Sequence, residues 1–388
     1  MIYLDNAATS WPKPESVYSA VTKAMREASG NPGRSGHKLS LAAHRTIEEA
    51  RLLAAQLFNL SNPETIVFTL NATDSLNLAL KGCLEPGDHV ITSSMEHNSV
   101  ARPLEELQAR GIEVTKVETS PVDGINMETL KAAIKSNTKL VAITHVSNVT
   151  GTVNPIAEIG VLCRERKLRL LIDAAQSAGT IPIDVNKCNI DLLAFPGHKG
   201  LLAPQGTGGL YIRDGLSLKT IREGGTGSRS ELLTQPPTGP ERYESGTPNT
   251  PGIAGLAAGI RYILEAGVET IQHREAQLAS RLITGLQRIP GLTIHGPPAG
   301  PTRSGVVSVT FADMDVVEAA LILDNAFNIS VRSGLHCAPD AHNTLGTLAS
   351  GGTLRISIGC FNSEQDIDKC IEAINSLAAE GGLKEVLS

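Results

Sequence analysis

Short apolar runs alternate with helix-period stretches along the first half of this chain, and that alternation leaves few folds open. Residues 66–70 (IVFTL), 89–92 (HVIT), 112–117 (IEVTKV), 139–145 (KLVAITH), 168–173 (LRLLID), 191–195 (DLLAF) and 209–212 (GLYI) read as buried strands. Helical patterns at 74–82, 98–110, 126–136 and 155–167 lie between several of them. Strands that are apolar on both faces and separated by helices predict a mostly parallel sheet covered on both sides. A second set follows an irregular, Gly/Pro/Ser/Thr-rich stretch at 219–252, whose length marks it as a functional loop. It has helices at 252–266 and 268–288, strands near 292–295, 305–311, 329–332 and 353–358, and helices at 314–326 and 363–379. The fold class is α/β: a large, mostly parallel domain and a smaller C-terminal α+β domain.

Composition excludes several functions. With 388 residues, 41% hydrophobic and 19% charged, the chain has the balance of a globular protein with a large core. Its net charge of −6 argues against a nucleic-acid partner. The start, MIYLDNAATSWPKP, has no signal-peptide pattern, and no apolar stretch approaches the ~20 residues that span a bilayer. A cytoplasmic protein without membrane partners is expected. Cys83, Cys163, Cys188, Cys337, Cys360 and Cys370 form no C-x-x-C pair, so neither a zinc site nor a disulfide framework is expected.

In open parallel sheets, ligands bind beyond the carboxyl ends of the strands. Asp173 closes LRLLID, Lys199 follows DLLAF, Asn148 lies past KLVAITH, and His97 lies past HVIT. An amine and a carboxylate at one sheet edge are what pyridoxal 5'-phosphate needs: the amine forms a Schiff base, and the carboxylate keeps the pyridine nitrogen protonated. NATDSLN (71–77), opening a helix after IVFTL, supplies backbone amides for the phosphate. The glycines at 206–209 and 224–227 lack the G-x-G-x-x-G spacing of a nicotinamide site, so a nicotinamide-dependent enzyme is a weak rival. A scaffold without cofactor is disfavoured because lysine and aspartate are both present.

Here the chain resembles a known family. LDNAAT (4–9), RSGHKLS (34–40), MEHNS (95–99), THVSNVTGT (144–152), IDAAQSAG (172–179), GHK (197–199), ESGTPNT (244–250) and RSGLHCAP (332–339) look like the cysteine desulfurases and selenocysteine lyases. These are class V aminotransferase-superfamily enzymes of pyridoxal phosphate fold type I. The resemblance implies an N-terminal arm (1–15) associated with the small domain, a cofactor-binding domain (16–255) and a small domain (256–388) carrying the Cys337 loop. It implies that Lys199 holds the cofactor and moves the substrate α-proton. Asp173 would face the pyridine nitrogen, Gln176 the phenolic oxygen, and His97 would stack on the ring and serve in proton transfer. Ala72, Thr73 and His198 would hold the phosphate, with Thr247 reaching across the interface of a homodimer with shared sites. Asn148, also counted with the cofactor residues, and Arg355 would take the substrate carboxylate, which a planar guanidinium can grip with two hydrogen bonds. The chain departs from the family at Pro196, where serine is frequent. Proline lacks a hydroxyl, so one phosphate hydrogen bond of ~1 kcal/mol is missing.

Cys337 sits among Gly334, His336 and Pro339, a poor context for a core cysteine, and Arg332 or a histidine could favour its thiolate. The resemblance implies that this thiolate attacks the sulfur of L-cysteine, leaving a persulfide on Cys337 and releasing alanine. The sulfur would pass to a thiol or an acceptor protein, with iron–sulfur cluster assembly among its destinations. Selenocysteine lyase, acting on L-selenocysteine, or another class V aminotransferase-type reaction is the alternative.

Overall fold

The computed structural model describes residues 1–33, 36–227, 229, 231–300 and 303–379; Arg34 and Ser35 of RSGHKLS lie outside them. The chain opens with strand β1 (Ile2–Tyr3) and helices α1 (Glu15–Glu27) and α2 (Lys38–Leu57). The alternating region follows as β2 (Ile66–Thr69), α3 (Ala72–Cys83), β3 (His89–Ser93), α4 (Asn98–Ala109) and β4 (Glu113–Val117). A small hairpin, β5 (Thr119–Ser120) and β6 (Gly124–Ile125), leads to α5 (Met127–Ala132), β7 (Thr138–Thr144) and α6 (Ile156–Glu165). Then come β8 (Arg169–Asp173), β9 (Leu192–Pro196) and β10 (Gly208–Ile212). These strands form one seven-stranded sheet in the order β2-β10-β9-β8-β7-β3-β4. Only β10 runs antiparallel to its neighbours. All but one of the expected parallel directions are therefore present.

Strand periodicity divides the core. Along β9, Leu193 and Phe195 join Phe58, Ile143 and Ile172 on one face, while Leu192 and Ala194 join Leu76, Leu104 and Leu140 on the other. Phe195 stacks at 5.1 Å and 48° on Phe58. Its register partner on β10 is Gly209, where any side chain would run into the Phe195 ring. The glycines after Lys199 thus let the two strands close around an aromatic residue.

The second unit begins after α7 (Thr250–Ala266) with α8 (Val268–Leu286), β11 (Leu292–His295), β12 (Val306–Phe311) and α9 (Val316–Phe327). It ends with β13 (Ile329–Ser330), β14 (Arg332–Gly334), α10 (Pro339–Leu345), β15 (Thr353–Ser357) and α11 (Glu364–Ala379). Its antiparallel sheet, β11-β12-β15-β14, packs around Leu282, Val307, Leu323, Ile356 and Ile374. The run read as one strand at 329–332 divides at Val331: β13 pairs in parallel with β1, and β14 pairs with β15. The chain changes partner there because the N-terminal arm supplies a strand of its own, with Leu4 buried in the small core. The boundary expected at 255–256 falls inside α7, whose Ile260 and Ile263 pack in the large core, as does Ile271 at the start of α8. Among the described residues no helix is long and apolar enough to cross a membrane.

Phe195 is wholly buried, so Phe195→Ala is expected to cost about 3–5 kcal/mol through lost burial and a cavity. A urea-unfolding comparison with the parent protein checks this; a loss below about 1 kcal/mol would show that Phe195 does not organise the strand pair.

Candidate active site

The carboxyl ends of β2, β3, β7, β8 and β9 gather the polar groups. Beyond β9, Gly197 and His198 lead to Lys199. Lys199 lines a narrow cleft with Ser10, Gln176, Glu275, Ser304 and Cys360. Protein crowds its amine. Burial first, then the Arg355 guanidinium, brings its pKa down to about 8, with Asp173 acting in the opposite direction. Roughly a fifth of such amines are neutral at about pH 7.4, against about a thousandth for an ordinary lysine, and the neutral form is the one that reacts with a carbonyl.

Asp173, on the neighbouring strand, is buried and accepts a 2.9 Å bond from the Ala175 amide on Oδ1. Burial raises its pKa against that amide and Lys199. Among the described residues its Oδ2 receives no hydrogen bond, which leaves that oxygen for a cationic N–H partner. Three other buried or helix-end groups are similarly incomplete. Asn71 caps α3 by accepting the Asp74 amide at 2.9 Å, which leaves the Ala72 and Thr73 amides free at a helix N-terminus. His198 Nδ1 and Arg355 Nε are buried without partners. A ring nitrogen, a phosphate, a carboxylate and an aldehyde would answer these groups together, and pyridoxal phosphate with an amino acid has all four.

His97 caps α4, accepting the Ser99 amide at 3.0 Å through Nδ1. Ser99 Oγ lies 2.9 Å from the same nitrogen and 2.7 Å from Thr73 Oγ1, which links His97 to the first turn of α3. Burial, with the Lys199 charge second, lowers the pKa of His97 to about 4; burial likewise lowers that of His198 to about 4. Both rings are neutral at pH 7. Gln176 donates to the Ala7 carbonyl at 3.0 Å. Thr247 is exposed before α7 and touches Asn31; among the described residues no hydrogen bond joins it to the cluster.

The small unit contributes the rest. Arg355 on β15 is 1% exposed; Nη1 donates to the Asn148 carbonyl at 3.1 Å and Nη2 meets Asp5 Oδ1 at 2.8 Å. Arg332 stands opposite it in the β14–β15 register, with Nη2 3.6 Å from Cys337 Sγ. Cys337 is exposed, and it and His336 both have left-handed backbones (φ 58° and 48°). Two contacts hold their loop on the large unit: the Asn98 amide donates to the Cys337 carbonyl and the Asn148 side chain to the His336 carbonyl, each at 2.7 Å. The other cysteines differ. Cys83, Cys163 and Cys370 are buried, and burial pushes the thiols of Cys163, Cys360 and Cys370 to about 12.

The fold also recruits residues that no spacing pattern singled out. From the arm, Thr9 Oγ1, the Ser10 amide and hydroxyl, and Lys13 Nζ all donate to the His198 carbonyl. Ser10 Oγ also reaches the Lys199 carbonyl at 2.8 Å. Glu96 Oε1 joins the end of β3 to β7, accepting from Ser93 Oγ at 2.5 Å and the Thr144 amide at 3.0 Å. Burial raises its pKa to about 8, so it is largely neutral at pH 7 and adds little negative charge beside Asp173. The arm lies nearly two hundred residues before Lys199, so sequence distance conceals its role; the only signal was the quoted LDNAAT stretch.

Comparison with known proteins agrees with this geometry. Residues 2–370 match the family Aminotransferase class-V. A probable cysteine desulfurase of Methanothermobacter thermautotrophicus is 35% identical over 98% of this chain and 95% of its own length. The cysteine desulfurase of Escherichia coli O127:H6 is 32% identical over 97% of this chain and 93% of its own length. The apo structure of cysteine desulfurase from Thermococcus onnurineus NA1 superposes with a TM-score of 0.90 at 34% identity, covering 98% of this chain and 95% of that one.

Acetic anhydride labelling of Lys199 in cofactor-free protein, followed by peptide mass, should become half-maximal near pH 8 as the amine loses its proton. A midpoint near the ordinary 10.5 would contradict the crowding of the amine.

Proposed function

The chain belongs to the aminotransferase class-V family, and from that membership we propose that it is a pyridoxal phosphate-dependent cysteine desulfurase that converts L-cysteine to L-alanine with a persulfide on Cys337. The observation that carries this reading is the seating of the Cys337 loop, by the Asn98 and Asn148 contacts, on the sheet edge where β8 and β9 end in Asp173 and lead to Lys199. Selenocysteine lyase and other class V reactions are not favoured, since the relatives compared above are all named cysteine desulfurases.

When bound, pyridoxal phosphate supplies an electron sink for negative charge at the substrate Cα. Lys199 would hold it covalently, and its neutral amine would take the substrate α-proton. The Asp173 carboxylate would pair with the pyridine nitrogen, and Gln176 would face the phenolic oxygen. His97, uncharged at pH 7, would cover the ring and serve in proton transfer. The Ala72 and Thr73 amides with His198 would hold the phosphate, and the exposed Thr247 would reach the phosphate of a second subunit in a homodimer. Pro196 brings no hydroxyl to this group. Asn148 and Arg355, through the free Nε, orient the substrate carboxylate.

Cys337 then acts as nucleophile. Its Sγ bonds to the substrate sulfur as the Cβ–S bond breaks, and the Cβ electron pair takes a proton. One thiol and one cysteine become one persulfide and one alanine, so no outside oxidant is needed. Arg332 Nη2 stands 3.6 Å from this Sγ. Exposure of Cys337 suits hand-over of the sulfur to a thiol or an acceptor protein.

Alanine formation from L-cysteine should fall by roughly two orders of magnitude or more in Cys337→Ala, with cofactor still bound, while Cys163→Ala keeps parental activity. Undiminished alanine from Cys337→Ala would remove the persulfide step and leave a reaction without this nucleophile.

A further inference from the structure

The guanidinium assigned to the substrate carboxylate already has a carboxylate on it. Asp5 Oδ1 lies 2.8 Å from Arg355 Nη2, and the Asn148 carbonyl occupies Nη1 at 3.1 Å. Asp5 is not free to swing away with its backbone. The Leu4 amide donates to Ser330, the Ser357 amide donates to the Leu4 carbonyl at 2.7 Å, and Asp5 bridges Ser357. The arm therefore presents this carboxylate to Arg355 as a fixed feature of the small unit. The pair is asymmetric: the Arg355 side chain is 1% exposed and that of Asp5 is 21% exposed. Arg332, the other guanidinium at this edge, forms no ion pair among the described residues.

We propose that Asp5 is a built-in counter-carboxylate that competes with the substrate for the charge of Arg355 and so sets how tightly amino acids are held. The proposal rests on the assignment of Arg355 to the substrate carboxylate. L-Cysteine and L-alanine carry the same carboxylate, so an undivided Arg355 would grip product as firmly as substrate and gain nothing for the chemical step. Sharing the charge loosens both. Asp5 acts through Arg355 and sets the affinity for the amino-acid carboxylate without touching it.

A purely structural Asp5 would behave in the opposite way. If it only held Arg355 in place, its removal would misplace the guanidinium and weaken binding. Asp5→Asn keeps the shape and the acceptor oxygen but removes the charge, and Asp5→Ser keeps a smaller uncharged oxygen in case the first variant folds poorly.

The test uses holoenzyme, titrated with L-alanine and followed by cofactor absorbance, together with KM and kcat for L-cysteine. Both Asp5 variants should bind L-alanine roughly tenfold more tightly and lower KM by a similar factor, without a rise in kcat. Arg355→Gln, run alongside, should raise both constants. If Arg355→Gln weakens binding but both Asp5 variants leave it unchanged or weaker, the counter-carboxylate is overturned while the Arg355 assignment stands. If Arg355→Gln leaves both constants unchanged, the assignment itself falls, and the proposal falls with it.

Discussion

An amine crowded by protein beside a guanidinium is an unfavourable arrangement, and the site is organised around tolerating it. Lys199 gives up part of its charge because burial and Arg355 both oppose its proton, against Asp173 and, less strongly, Asp5. Such an amine persists only where the backbone beneath it is held firmly. The His198 carbonyl, immediately before it, receives donors from Thr9, Ser10 and Lys13, and Ser10 also holds the carbonyl of Lys199 itself.

That grip comes from the arm, which couples the two units. Within its first thirteen residues the chain adds β1 to β13, buries Leu4 in the small core, pairs Asp5 with Arg355 and clamps the Lys199 segment. From the other direction, the Cys337 loop crosses to Asn98 and Asn148 on the large unit. Lys199, Arg355 and Cys337 thus come from different units joined by these hydrogen bonds. A shift between the units would disturb all three at once.

Local pattern explains what was legible in the sequence. The strands of the large sheet other than β4 could be read because they are apolar on both faces, whereas β4, expected to be buried, is a partly exposed edge strand; the ends of LRLLID and DLLAF put Asp173 and Lys199 at one edge. Helices α1 and α2 were not read: α2 buries mainly alanines, Ala43, Ala50, Ala54 and Ala55 with Ile47, a face too small to stand out by hydrophobic period. The division of 329–332 was hidden because its cause, pairing of β1 with β13, joins opposite ends of the chain. Asp5, Ser10, Lys13 and Glu96 were invisible for the same reason, since each gains its role only from a neighbour distant in sequence or from burial. The roles of Gln176, Thr247 and the phosphate residues came from resemblance, because nothing in their spacing distinguishes them.

The central claim is that this one crowded amine, facing Asp173, is the covalent attachment point for pyridoxal phosphate. Borohydride reduction of the holoenzyme, followed by proteolysis and mass spectrometry, tests it most directly. The cofactor should be found fixed to the peptide containing Lys199 and to no other. A reduced cofactor on a different lysine, such as Lys13, or on no peptide at all, would contradict the account.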